Sequence, residues 1–198
     1  IINYLSYFGY KKLIKVENLS YSFNDLPLLE DLNFEVRGSE IIHLKGVNGS
    51  GKSTLLKILS GILSNFQGKI ILSSDNVFFL GHNLGLKDSL SVNDNLLLDY
   101  RFNAEAESLD QACNLFGLNS LRDTKLFSLS QGQKKKVSLV QFFLSKCDLY
   151  LLDEPFANLD KKGIELIENM IIERQSKGAS IIFTSHEEHN ISSRELIL

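Results

Sequence analysis

Three clusters of residues have types and spacing suited to phosphate chemistry. The run Gly46-Val47-Asn48-Gly49-Ser50-Gly51-Lys52-Ser53-Thr54 fits G-x-x-x-x-G-K-[ST] through Gly46, Gly51, Lys52 and Ser53. Glycines at 46, 49 and 51 let consecutive backbone N–H groups point at phosphate oxygens, and the positive end of the following helix reinforces them. Lys52 is expected to bridge the β- and γ-phosphates of a nucleotide, and Ser53 to offer its hydroxyl to Mg²⁺. A second cluster, Asp153-Glu154, follows the apolar run Leu149-Tyr150-Leu151-Leu152. That places carboxylates at the carboxyl end of a buried strand, where open α/β sheets bind their ligands. Asp153 suits a Mg²⁺ held through water. Glu154 suits a general base for an attacking water, a role worth roughly 10²–10⁴-fold in rate. The third cluster is Leu129-Ser130-Gln131-Gly132-Gln133. Its Ser130 and Gln133 form a capping box that opens a helix, and a helix N-terminus carrying a glycine attracts anions.

These clusters require elements to hold them. Ile41-Ile42-His43-Leu44 reads as a short strand entering the glycine loop. After it, Leu55, Ile58, Leu59 and Ile62 follow the i, i+3, i+4, i+7 spacing of an amphipathic helix, with Gly61 weakening its end. Upstream, Leu13 to Leu19 reads as a strand, Asn24-Asp25 and Pro27 as a turn, and Leu32 to Val36 as a half-buried edge strand by its period-two alternation. Lys69 to Leu72 is a further strand. From Leu86 to about Phe127 short helical segments are expected, with Gly117 as a breaker. A helix over 131–145, a strand over 149–152, a helix over 161–177 and a strand at Ile181 to Thr184 complete the pattern. Such alternation predicts an α/β core with a mainly parallel sheet.

The composition narrows the class. At 198 residues the chain is long enough for one substantial domain. A net charge of −3 gives no global reason to expect nucleic acid as a partner. Lys134, Lys135 and Lys136 read as a solvated helix face. Cys113 and Cys147 lack metal-type spacing and read as reduced, partly buried thiols. No apolar run reaches the length of a transmembrane helix. In the opening Ile1-Ile2-Asn3-Tyr4-Leu5 the lysines Lys11 and Lys12 follow the apolar stretch, which argues against a secretory signal.

Together the glycine loop, the LSQGQ run and Asp153-Glu154 resemble the motifs of ATP-binding-cassette (ABC) ATPases, and the likeness spans about residues 14 to 188. It implies the ABC ATPase fold: an α/β, P-loop NTPase core with a mainly parallel sheet, an N-terminal antiparallel β portion and an inserted helical subdomain. Residues 1–198 form one such domain, with 13–82 and 146–198 as nucleotide-binding core and 85–145 as the helical subdomain carrying the signature. ATP and Mg²⁺ are the implied ligands. In this family the signature run of one subunit closes over ATP held by the other, which assigns Ser130, Gly132 and Gln133 to a second copy's nucleotide. Asn158-Leu159-Asp160 resembles the loop that passes between the two sites, and His186 the switch histidine at the γ-phosphate. Phe23 stands where the family places an adenine-stacking aromatic, with Tyr21 as the alternative. The implied partners are a second copy of the chain and integral membrane permease subunits, which would place it at the cytoplasmic face of the bacterial inner membrane.

Two departures from the family pattern narrow it. Gln131 replaces a signature glycine, and His82 replaces a glutamine. Because Mg²⁺ prefers oxygen ligands, His82 is expected to act through water. The stretch from Leu80-Gly81-His82-Asn83 to Leu96 is similar to the ATP-binding subunit of the haem exporter of cytochrome c maturation, as are Leu152 to Phe156 and the tail after His186. Haem export, or release of haem to its chaperone, is the implied role. An ATPase for another small substrate is the alternative, followed by a non-transport ABC ATPase. A GTPase is disfavoured by the absence of an N-K-x-D motif. About 75 residues between Thr54 and Leu129 are too few for the long coiled-coil arms of DNA-repair relatives. His186 and His189 have i, i+3 spacing, unlike the i, i+4 pair of a zinc-protease helix.

Overall fold

The computed structural model describes residues 12–81, 85–98 and 106–198. Its first sheet begins as a hairpin of β1 (Lys12–Phe23) and β2 (Leu26–Arg37). Asn24 and Asp25 turn the chain with φ of 49° and 61°. Asn and Asp tolerate this left-handed conformation, which matches the twist of tight hairpins. Pro27, expected in the turn, lies inside β2, which is an edge strand and so has room for a residue without an N–H. The strand β4 (Gln67–Leu72) pairs with the other side of β1, giving the antiparallel order β2-β1-β4.

The second sheet carries the chemistry. Its strands are β3 (Ile41–Lys45), β5 (Val77–Leu80), β6 (Leu149–Leu152), β7 (Ser180–Phe183) and β8 (Arg194–Ile197), in the order β5-β6-β7-β3-β8. Every pairing is parallel, so all five carboxyl ends share one edge. Side chains alternate across this sheet. Ile42, Leu44, Leu149, Leu151 and Ile182 face one core with the antiparallel sheet and helix α1 (Lys52–Leu59). Ile41, Tyr150, Leu152, Ile181 and Phe183 face the other core, with α2 (Val92–Leu97), α3 (Ala106–Leu115), α4 (Gln131–Leu144) and α5 (Lys161–Ser176). Burial on both faces explains why these strands read as unbroken apolar runs.

Two strands and one helix end differ from expectation. The run Val77-Phe-Phe-Leu80 forms β5 beside β6, and β8 forms at the far edge. Strand β8 has little apolar pattern. Pairing with β3 creates it, and Arg194 secures it to Glu40 at 2.5 Å and to the Glu35 carbonyl at 2.7 Å. Helix α1 stops at Leu59 and leaves Ile62 59% exposed, because Gly61 takes a φ of 77°. Both cysteines are free and buried.

Tyr150 joins the end of α4 to β6. Its fully buried hydroxyl donates to the Ser145 carbonyl and accepts from the Cys147 N–H, both at 2.9 Å. Tyr150→Phe leaves both backbone groups buried without that partner and should cost about 1–3 kcal/mol. Urea unfolding should show a lower midpoint at unchanged slope.

Candidate functional site

Strand β3 delivers the chain into the glycine loop. Gly49 and Gly51 have φ of 85° and 94°, a region that disfavours side chains. Space imposes a second demand: a Cβ on Gly51 would meet Leu29 Cδ2 at 2.6 Å. Gly51 is the N-cap of α1 and provides no side-chain acceptor, so the leading N–H groups of α1 stay available to a phosphate. Lys52 Nζ donates to the Gly46 and Val47 carbonyls at 2.8 and 3.0 Å, which holds the ammonium over the loop. Ser50 Oγ is a buried hydroxyl without a protein partner.

The carboxyl ends of β6 and β7 bring in the acidic pair. Asp153 is 3% exposed, and its Oδ1 accepts from Thr184 Oγ1 at 2.9 Å. The same hydroxyl accepts from the Glu154 N–H at 2.9 Å. Glu154 itself is left-handed, with φ 51°, a costly conformation for a residue with a side chain and one that concentrates at functional sites. Its carboxylate accepts from the His186 N–H at 3.2 Å, with the His186 Nε2 3.6 Å away. Asn48, Gly49, Gly51, Lys52, Ser53, Thr54, Asp153, Glu154 and His186 line one cleft of about 400 Å³. Leu28 is also part of its wall.

Ser130, Gly132 and Gln133 lie elsewhere. They line a second cleft of about 470 Å³ with Asn158 and Asp160, and the two clefts share no residue. The expected capping box at the start of α4 is formed: Ser130 Oγ accepts from the Gln133 N–H at 3.2 Å, and Gln133 Oε1 accepts from the Ser130 N–H at 2.8 Å. Asp160 caps α5 through the Gly163 N–H at 2.9 Å. Phe23 is 62% exposed beside the hairpin turn and does not line the first cleft; Leu28, farther along the same hairpin, does. His82 lies outside the described residues.

A phosphate loop, an acidic pair at a parallel sheet's edge and a capped LSQGQ helix thus occur in one fold. The profile described as ABC transporter matches residues 29–157. The chain belongs to the ABC transporter family. A cytochrome c biogenesis ATP-binding export protein, CcmA, of Legionella pneumophila (strain Lens) is 34% identical to this cassette over 187 residues, covering 89% of this chain and 94% of the relative. The protein with the same description in Rickettsia bellii is 32% identical, covering 93% and 98%. Among solved structures, an ATP-binding subunit of an ABC transporter superposes with a TM-score of 0.77 at 27% identity, covering 88% of this chain and 79% of that one. The cassette is an ATP-binding subunit with the α/β fold of ABC ATPases.

Two site residues escaped the sequence reading. Thr184 looked like the last residue of an apolar strand, and nothing local marked its hydroxyl as the link between Asp153 and Glu154. The expectation of a solvated face at 134–136 fails at Lys135. That side chain is buried and donates to the Glu154 carbonyl at 2.9 Å, while Lys134 pairs with Asp88 at 2.6 Å and Lys136 is exposed. The i+3 and i+4 spacing of Lys135 to Ser138 and Leu139, both buried, was the available signal.

Burial pushes the Lys135 ammonium down to about 8, against the attraction of Asp153 and Glu154. Between there and the ordinary lysine value of 10.5, the unfolded chain holds the proton and the folded one does not. Stability from this group therefore rises with pH across that window. Relative to Lys135→Met, the protein should gain up to about 3 kcal/mol between those limits. Urea unfolding of both proteins at the two ends of the window measures the difference.

Proposed function

We propose that this chain is the ATP-hydrolysing subunit of an ABC membrane transporter that powers haem export, or release of haem to its chaperone, in c-type cytochrome biogenesis. The observation that carries the hydrolytic part is the convergence of Lys52, Ser53, Asp153, Glu154 and His186 on one cleft. The relatives' description as cytochrome c biogenesis export proteins supports the biological part.

The donor set suits Mg²⁺: the Ser53 hydroxyl and the Asp153 carboxylate are hard oxygen ligands in the same cleft. Bound there, Mg²⁺ would neutralise phosphate charge and orient the nucleotide. The remaining work falls to the chain. The leading N–H groups of α1 and the Lys52 ammonium hold the phosphates. Thr184 and Lys135 pin the backbone of Glu154 at its N–H and its carbonyl, so its carboxylate stays beside His186. Glu154 takes a proton from the attacking water, and His186 contacts the γ-phosphate. In this reading His82 acts on the site through water, and Phe23 stacks on adenine.

A second copy of the chain completes the reading. The helix terminus at Ser130, Gly132 and Gln133, with Asp160, belongs to a cleft separate from the phosphate loop. Two copies facing each other would let each terminus close over the partner's ATP. Binding would close the pair and hydrolysis reopen it. No described helix is long and apolar enough to cross a membrane. Integral membrane permease subunits would hold the protein at the cytoplasmic face of the bacterial inner membrane, docking on the helical subdomain at 85–145.

Glu154→Gln should keep ATP affinity, lower turnover by about 10²–10⁴-fold and accumulate an ATP-bound dimer in size-exclusion chromatography. Wild-type turnover in this variant would remove Glu154 from its role. Deleting the gene should leave c-type cytochromes without haem while other haem proteins stay normal. Haem-replete c-type cytochromes in that strain would redirect the assignment to another small substrate.

A further inference from the structure

His43 and His189 lie outside the residues assigned so far, and their hydrogen bonds form a chain with fixed ends. His43 Nε2 is 3.4 Å from the Ser185 carbonyl, which only accepts, so that nitrogen carries a proton. At the other end, the Ile191 N–H donates to His189 Nδ1 at 3.3 Å, so that nitrogen carries none. Between them, His189 Nε2 and His43 Nδ1 are 3.3 Å apart. Only one pattern satisfies all three links: the Ile191 N–H to His189, His189 Nε2–H to His43, and His43 Nε2–H to Ser185. Both rings are then neutral and each has a single tautomer.

An added proton has no place in this chain. On His43 Nδ1 it would face the His189 N–H, and on His189 Nδ1 it would face the Ile191 N–H. The packing fixes the rings where they are. His43, 6% exposed, stacks on Phe183 with centroids 4.7 Å apart. His189 lies against Phe156 at 5.6 Å and edge-on to Phe183 at 5.0 Å.

The receiving end of the chain is what matters for catalysis. Ser185 immediately precedes His186, whose N–H donates to Glu154. The rest of the loop is braced by Ser185 Oγ, which accepts from the Glu187 N–H at 2.9 Å, and by Glu168, which accepts from the Asn190 N–H at 2.6 Å. We propose that His43 and His189, as a neutral hydrogen-bonded pair, are positioning residues that hold loop 185–190 so that His186 stays against Glu154, and that protonation of the pair releases this loop. The inference rests on the reading of His186 as a γ-phosphate contact.

Charged groups surround the pair. Beside His43 lie Lys45 and Glu195, themselves paired at 2.5 Å, and beside His189 lies Glu168 of α5. The adjoining cavity, about 1260 Å³, also receives Lys52, Lys161, Glu165, Glu187, Glu188 and His186. Glu168 and Glu195 favour protonation, while Lys45 opposes it. Burial dominates and holds both imidazoles below their ordinary range. The unfolded chain therefore binds these protons first as pH falls, so acid weakens the native arrangement through the histidine range.

ATPase assays of the full chain from about pH 5.5 to about 8.5 test this, with ATP affinity and thermal unfolding measured alongside. The wild type should lose kcat towards acid pH at unchanged KM. His43→Phe should lower neutral-pH kcat about three- to tenfold without changing KM. His43→Gln, whose amide donates to Ser185 without titrating, should restore kcat and shrink the acid loss, since only His189 is then left to take up a proton. A wild-type profile without an acid loss, a wild-type kcat in His43→Phe, or an undiminished acid loss in His43→Gln would overturn the proposal. Should His43→Phe not fold, the His43→Gln profile decides. His186→Ala separates the two levels: full turnover there would overturn the reading of His186 and the inference with it. Lost turnover there, with both His43 variants like wild type, would overturn the inference alone.

Discussion

The hydroxyl of Thr184 is the interaction on which the cleft at the glycine loop depends. It donates to the Asp153 carboxylate and accepts from the Glu154 N–H, so one buried atom fixes two consecutive acidic residues. The link exists because β6 and β7 run parallel as neighbours, with Leu152 opposite Phe183. One residue beyond that register, Asp153 and Thr184 leave the sheet side by side. A buried carboxylate without such a donor would carry a large desolvation cost. Glu154 then departs in a left-handed conformation, held at its carbonyl by Lys135 and at its carboxylate by the His186 N–H.

Lys135 gives α4 two roles at opposite ends of a short span. The N-terminus of the helix presents Ser130 and Gly132 to the second cleft, while Lys135, about one turn later, reaches the backbone of Glu154. One helical turn thus separates the terminus that lines the second cleft from the lysine that holds the Glu154 carbonyl. The capping box makes that terminus rigid by satisfying its own exposed donors, and it leaves Gly132 half-buried in the cleft wall.

Legibility followed the range of the interactions. The glycine loop and the capping box are local patterns, complete within a few residues, and each formed as expected. The central strands were legible because burial on both faces leaves an apolar run. Strand β8 was not, since its Arg194 and Glu195 have a strand's role only beside β3 and Glu40. The charge run at 134–136 misled because a lysine's long stem lets it cross into a packed interface when a carbonyl waits there. A threonine at a strand end and a histidine inside an apolar strand carry no mark of the partners they meet.

By itself the sequence determined the family, the phosphate loop, the acidic pair and the capped signature helix, because those depend on backbone freedom and side-chain chemistry over short spacings. Tertiary structure alone decided that Thr184 joins Asp153 to Glu154, that Lys135 is buried against Glu154, and that His43 meets His189 across 146 residues. It also placed the signature helix in a cleft apart from the phosphate loop. The reason is physical: these contacts arise from strand order and from which face of each strand turns inward, and both are set by packing of the whole sheet.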